Sequence, residues 1–522
     1  MDASRRQAGS SHLRGVWLAA AVLVLARSAV WVFWEQSHFD SDQAVWGLMA
    51  KHVAELRAFP LVFYGQHYMM AVESWITAPV FKVFGASVTT LKLPLVAINI
   101  VVAALLLRIL VRDAGVSRGA ALVASLFFLL PPPAASSRLV EAAGGGIEPF
   151  LYILLLWTMR ERPVAFGLVA GLGFMNREFT AYGIAALVLL EAWHGALFTR
   201  ASLRAKAIIG AEMLAVMFAV RLLMPHADLV GPGTEGTLPP EALNGQMAFL
   251  VSRFCVSASA LLPNLTWLFR DNLGTLFGWR VEPLAVYVRS GLTAGHTWAF
   301  VPLAALAAGA VWVTAASSDA VSPPAPAAAG TPRVPGRAFP AYAVAVGLMT
   351  IGAYALTSCL VQDRMLIRYT LLAIFIPIGA AATLLRSGRR PFVRGAAASA
   401  ILIWAAASAS DDARVLFEYV RHPPRNEYRQ FADFLEREGI WYGQAPYWTA
   451  YQIDFLTRER VTMGSFEKVR VSEYEDIVHA HTNESIAVFV DDPCTDEGAV
   501  VFGRFCMLYV PRALHPQPRR QE

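Results

Sequence analysis

Two carboxylates a residue apart, Asp40 and Asp42 in the run His38-Phe39-Asp40-Ser41-Asp42-Gln43, stand just beyond the chain's first long apolar segment. Fixed charge within reach of hydrocarbon costs free energy, so acidic side chains at a membrane face mark a functional site. Carboxylates serve chemistry as proton acceptors or as oxygen ligands for hard cations. The same residues have a plainer use, because Asp42 or Ser41 could cap a following helix, worth about 1 kcal/mol.

The elements that must position them are membrane helices. The chain has 522 residues, of which 56% are hydrophobic and 16% charged, with a mean hydropathy of +0.46. That exceeds what a soluble core of this length requires. Apolar segments long enough to approach the roughly 30 Å of a bilayer core recur along the sequence. They run near Val16 to Trp34, Leu91 to Val111, Ala120 to Leu130, Ile147 to Met159, Ala165 to Met175, Ala181 to His194, Ile208 to Leu223, Trp298 to Thr314, Tyr342 to Leu360, Thr370 to Leu385 and Gly395 to Ser408. About eleven transmembrane helices are therefore expected. The first carries Arg27 and Trp17, Trp31 and Trp34 without a small-residue cleavage pattern, which reads as a retained helix.

Basic residues gather in alternate connections: Arg108, Arg112 and Arg118; Arg160 and Arg162; Arg200, Arg204 and Lys206; Arg386, Arg389, Arg390 and Arg394. These loops, with the N-terminus, are expected in the cytoplasm, which puts the Asp40/Asp42 loop and the tail after Asp411 on the other side. The net charge of +5 then reflects topology and attraction to anionic lipid, with no reason to invoke nucleic acid.

The chain divides into a membrane domain, 1–410, and a soluble tail, 411–522. Within the first, loop 35–88 has helical periodicity from Gln43 to Arg57, as for a helix lying on the membrane, and again near Ala71 to Phe84. Region Met224 to Gly295 holds two apolar stretches of open topology, and Ser317 to Arg337 is an Ala/Pro-rich linker. The tail alternates as a small α/β domain. Helices are expected at Glu427 to Arg437 and Trp448 to Thr457, and strands at Ile486 to Val490 and Ala499 to Tyr509. Cys494 and Cys506 lie close together in it, paired as a disulfide or left as free thiols, and an oxidising compartment favours the bridge.

This layout resembles the GT-C glycosyltransferases, in particular bacterial relatives of protein O-mannosyltransferases, lipid A aminoarabinose transferases and rhizobial galacturonosyltransferases (families 39 and 83). Matching motifs are Phe39-Asp40-Ser41-Asp42-Gln43-Ala44, similar to the family's Asp-Glu-Ala; Tyr64-Gly65-Gln66-His67-Tyr68 with Glu73; Phe84-Gly85; Leu91-Lys92-Leu93-Pro94, similar to its Arg-Leu-Pro; and Arg368-Tyr369. The likeness covers about the first 200 residues well and the rest by layout. Gln43 stands where many members have Glu, so a second carboxylate must be Asp40 or be absent.

The resemblance implies transfer of a sugar from a polyprenyl-phosphate donor to a hydroxyl of a lipid, glycan or protein acceptor, at the outer face of a bacterial inner membrane. Asp42 would be the general base, and Asp40 would support it or ligate a divalent cation, Mg or Mn. Arg368 and, more weakly, Lys92 would hold the lipid phosphate. Glu73, His67, Tyr64 and Glu178 would line the sugar or acceptor pocket.

Plainer roles exist for each. Arg368 could snorkel to the interface, Glu73, His67 and Lys92 could be solvated or headgroup residues, and Glu178, Glu141 and Glu148 could be ion-paired at short turns. A transporter or flippase shares the many helices and basic inner face, but its internal repeats and mid-membrane polar residues are missing. An inactive scaffold is a third class.

Overall fold

A computed structural model describes residues 2–34, 39–224, 258–283, 293–318, 334–356, 367–386, 390–491, 494–495 and 498–509. Each apolar segment named above falls on a helix where it is described. The bundle comprises α1 (Asp2–Phe33), α4 (Val88–Arg112), α5 (Arg118–Leu129), α7 (Glu148–Met159), α8 (Pro163–Asn176), α9 (Thr180–Trp193) and α10 (Arg200–Leu223). It continues with α11 (Ala258–Trp267), α12 (Leu273–Phe277), α13 (Phe300–Ser318), α14 (Phe339–Leu356), α15 (Phe375–Arg386) and α16 (Pro391–Arg421). Loop 35–88 supplies α2 (Ser41–Ala54) and α3 (Val72–Phe84), and a short α6 (Pro133–Arg138) lies between α5 and α7. Among the described residues, five helices are long and apolar enough to cross a membrane, and five more are apolar but shorter. The protein is a multi-pass membrane protein.

Side chains fix the helix ends at both faces of the bundle. At one face, Ser87 and Thr90 form a reciprocal capping box at the start of α4, and Thr89 Oγ1 donates to the Val32 carbonyl at the end of α1. At the other, Trp157 Nε1 donates to Asp113 over 2.8 Å, and Arg160 binds both Asp113 and the Val334 carbonyl. The ends of α4 and α7 and the entry to α14 therefore meet there, as alternate connections must.

The tail is an α/β unit holding α17 (Glu427–Arg437), α18 (Tyr447–Leu456) and α19 (Ser472–Ala480). Two short ribbons precede its sheet, β1 (Val62–Phe63) with β2 (Gln66–Met70) and β3 (Glu282–Pro283) with β4 (Thr293–Ala294). The tail's sheet has strands β5 (Tyr442–Ala445), β6 (Thr462–Ser465), β7 (Ile486–Val490), β8 (Val500–Phe502) and β9 (Phe505–Tyr509), in the order β6-β5-β7-β9-β8. β5 runs parallel to β6 and β7, and β9 antiparallel to β7 and β8. The single strand expected from Ala499 to Tyr509 is instead a hairpin, turned at Gly503 with φ +59°, a conformation glycine adopts without a Cβ clash. Cys494 and Cys506 are bridged, with an S–S distance of 2.06 Å.

One expectation is corrected. The periodicity of α2 reads as a helix lying on the membrane, yet nearly all of it is buried, between α3 and α18. Gly47 lets the tail come this close: a Cβ there would collide with the Phe455 ring of α18. Phe455 also packs on Phe39, with ring centroids 5.5 Å apart. The apolar face of α2 is covered by protein, because the tail supplies a second apolar surface.

Of the two apolar stretches in 224–295, residues 225–257 and 284–292 lie outside the described residues, as do 319–333 of the linker.

Candidate active site

The chain enters α2 in an extended conformation at Asp40, whose carboxylate accepts from the Gln43 N–H at 3.0 Å. Asp40 is thus the helix cap, where sequence pointed to Asp42 or Ser41. Ser41 is buried and donates its hydroxyl to the Tyr447 carbonyl over 2.6 Å. Asp42 lies inside the first turn with no capping duty. Its Oδ1 accepts the Tyr447 hydroxyl at 2.6 Å. The reading of Asp42 as only a cap is therefore removed.

Asp40 is half-buried. Its carboxyl is pushed up to about 7, first by burial, then by the negative charges of Glu141 and Asp42, against the Gln43 N–H and Arg138.

Cations meet these acids from separate elements. Lys92 of α4 is 1% exposed, donates to the Trp31 carbonyl over 3.1 Å, and feels the charges of Glu141 and Asp40. Arg368 lies over the Tyr369 ring, 5.1 Å from its centroid, and donates to the Tyr369 hydroxyl at 3.2 Å. Burial opposes the Arg368 charge, but Tyr369, Glu141 and Asp42 outweigh it and keep the guanidinium protonated. Arg138, at the end of α6, pairs with Glu141. The site is thus Asp40, Asp42 and Glu141 against Lys92, Arg138 and Arg368.

Glu141 is the residue that sequence undervalued. It reads as a turn ion pair, yet its charge reaches Asp40, Lys92 and Arg368 as well as Arg138. Its segment is held by a further cluster. Glu73 of α3, 1% exposed, accepts the Gly144 N–H at 2.8 Å, and Arg177 donates to the carbonyls of Ala143 and Gly144. Gly144 has φ +63°, and a Cβ there would lie 2.7 Å from the Trp46 ring, so only glycine fits. Burial and then the neighbouring Glu148 carboxylate drive Glu73 well above the usual carboxylate range. The two acids are stable side by side with one of them protonated.

Glu73 therefore holds the segment behind the site instead of joining the aspartates. Tyr64 is likewise elsewhere. Its hydroxyl bonds His52 Nδ1 at 3.0 Å, His52 Nε2 meets Glu459 at 2.9 Å, and Lys51, Arg57 and Tyr474 converge on the same carboxylate. That network joins the loop to the tail. Glu178 acts on Tyr182 in the turn before α9, while its neighbour Phe179 packs edge-on against Tyr369, centroids 6.1 Å apart. The side chain of His67 lies outside the described residues.

A resident divalent cation fits this donor set poorly. Asp40 accepts from Gln43, Asp42 from Tyr447, and Glu141 is paired with Arg138. Among the described residues, no three His, Cys, Asp or Glu side chains converge as metal ligands.

No protein-family model matches the chain, and no curated protein matches its sequence. Among solved structures it is similar to ArnT from Cupriavidus metallidurans bound to undecaprenyl phosphate. That likeness has a TM-score of 0.58 and 11% identity, and covers 97% of this chain and 100% of that one. An oligosaccharyltransferase of Archaeoglobus fulgidus, in complex with Zn and sulfate, is matched with a TM-score of 0.47 and 14% identity over 91% of this chain and 68% of that one. The chain shares the fold of the ArnT structure.

Proposed function

We propose that the protein is a glycosyltransferase that moves a sugar from a polyprenyl-phosphate donor to an acceptor hydroxyl at the non-cytoplasmic face of a bacterial inner membrane. One observation carries the reading: two carboxylates and two cations, the buried Lys92 and the half-buried Arg368, share one electrostatic cluster at the end of a membrane-helix bundle. The fold is that of a protein seen with undecaprenyl phosphate, which supports a lipid donor of the same class. The alternate Arg-rich loops support the orientation, with the tail outside the cytoplasm.

In this reading the donor lies in the bilayer with its phosphate against Arg368 and Lys92. The guanidinium offers paired donors and the ammonium a point charge, both able to stabilise negative charge as it grows on the departing phosphate. Asp42 takes the proton of the acceptor hydroxyl as that oxygen bonds to the anomeric carbon. The bond from anomeric carbon to phosphate oxygen breaks, and its electron pair leaves with the polyprenyl phosphate. Asp40 fixes the start of α2, and so the place of Asp42.

A second assignment has its own support: Asp40, pushed up to about 7, suits proton transfer near neutral pH better than an ordinary carboxylate does. The test incubates purified protein with a panel of undecaprenyl-phosphate sugars and an Asp42→Ala control. Loss of donor with release of undecaprenyl phosphate, absent in the variant, is expected. Intact donor moved across proteoliposomes, with no cleavage, would make the protein a flippase.

A further inference from the structure

The tail offers an aromatic and cationic surface for which the transfer chemistry above has no use. Trp448, the residue after Tyr447 in α18, is 49% exposed. Its ring stands edge-on to that of Tyr447 with centroids 5.0 Å apart, and the Tyr447 hydroxyl is the one on Asp42. An open indole face is thus one side chain removed from the proposed base. A single exposed Trp is ordinary on a protein surface; this one has a charged neighbour beside the same tyrosine. Lys468, exposed in the segment after β6, holds its ammonium 5.8 Å from the Tyr447 ring centroid. Arg470, two residues on, lies over the same ring at 5.5 Å but is buried and donates to the Gly65 carbonyl over 3.0 Å. Arg470 therefore braces Tyr447, and Lys468 is the cation left facing solvent.

A flat aromatic face suits the C–H face of a pyranose ring, and an exposed ammonium beside it suits an anionic substituent on that ring. We propose that Trp448 and Lys468 form the acceptor subsite, and that the acceptor is an anionic glycan whose ring stacks on Trp448 while its negative charge meets Lys468. The proposal rests on the transferase reading of Asp42, and it narrows the acceptor from any hydroxyl to a charged sugar.

The test uses the full chain in a detergent without a sugar headgroup. Saturation-transfer NMR compares methyl glucuronide with methyl glucoside, and a separate arm measures binding of undecaprenyl phosphate to the unaltered protein. The glucuronide should bind about threefold more tightly than the glucoside. Trp448→Ala should weaken glucuronide binding by about tenfold, and Trp448→Tyr should restore most of it. Lys468→Gln should erase the preference between the two sugars. Equal glucuronide binding by Trp448→Ala and the unaltered protein, or no preference for the charged sugar, overturns the subsite. Failure to bind undecaprenyl phosphate, with the glucuronide pattern intact, overturns the donor reading alone.

Discussion

The hydroxyl of Tyr447 donates to Asp42 Oδ1 over 2.6 Å across a sequence separation of 405 residues. The C-terminal α/β unit therefore holds one of the two acids that open loop 35–88, and the site draws on residues from both. Tyr447→Phe keeps the ring and removes only the donor. Turnover is expected to fall by roughly tenfold, about what one charge-assisted hydrogen bond contributes, with donor binding little changed. Unchanged turnover in a donor-consumption assay would show that the contact is only structural.

Asp40 gives the fold a pH dependence with a definite sign. Its folded carboxyl sits at about 7 against 3.8 for a free aspartate, so the folded state binds the extra proton. Stability then falls as pH rises from about 4 to about 7 and levels off above that. Asp40→Asn keeps the cap, since Asn caps as well as Asp, and should flatten that slope. Thermal unfolding of both proteins at pH 5 and pH 8 checks it; parallel curves refute the assignment.

Glu459 behaves in the opposite sense. Burial works against its charge, but His52, Lys51 and Arg57 hold its carboxyl well below the usual range. Its contribution is present above about pH 4.5 and is lost as pH falls further. Glu459→Gln leaves Lys51 and Arg57 facing a neutral partner at the joint between loop and tail, and should cost about 3 kcal/mol. Limited proteolysis should then release the tail more readily; equal protease resistance speaks against the joint.

Much of this was legible in sequence, and what was not has physical causes. Apolar length gave the membrane helices, and α17 and β7 fall at the expected residues, because local periodicity sets them. β5, β6 and α19 went unseen, since short strands such as Tyr442–Ala445 carry too little alternation to register. In the site, Asp40, Asp42, Lys92 and Arg368 could be singled out as charges near apolar segments. Glu141 and Tyr447 could not, for their importance lies in contacts across distant elements. The cap on α2 was misplaced by two residues at most, yet that shift decides which acid is free for chemistry.

Topology has its own check. A cysteine introduced at Gln430, in α17, should react with a membrane-impermeant thiol reagent in cells whose inner membrane is intact. In the same preparation, non-reduced peptide mapping should recover Cys494 joined to Cys506. Labelling at 430 only after the inner membrane is broken would reverse the orientation and with it the placement of the site.

The central claim is that Asp42 takes the acceptor's proton. Asp42→Asn keeps the size of the side chain and its ability to accept from Tyr447, and the cap of α2 belongs to Asp40. The substitution removes proton uptake together with the negative charge that Asp40 and Arg368 feel, so binding has to be measured beside cleavage. Single-turnover measurement of donor cleavage, alongside binding of undecaprenyl phosphate, separates chemistry from affinity. The account predicts a loss of about a hundredfold or more in cleavage with binding nearly intact, whereas Arg368→Ala should weaken binding as well. Near-normal cleavage by Asp42→Asn would contradict it and move the base to Asp40.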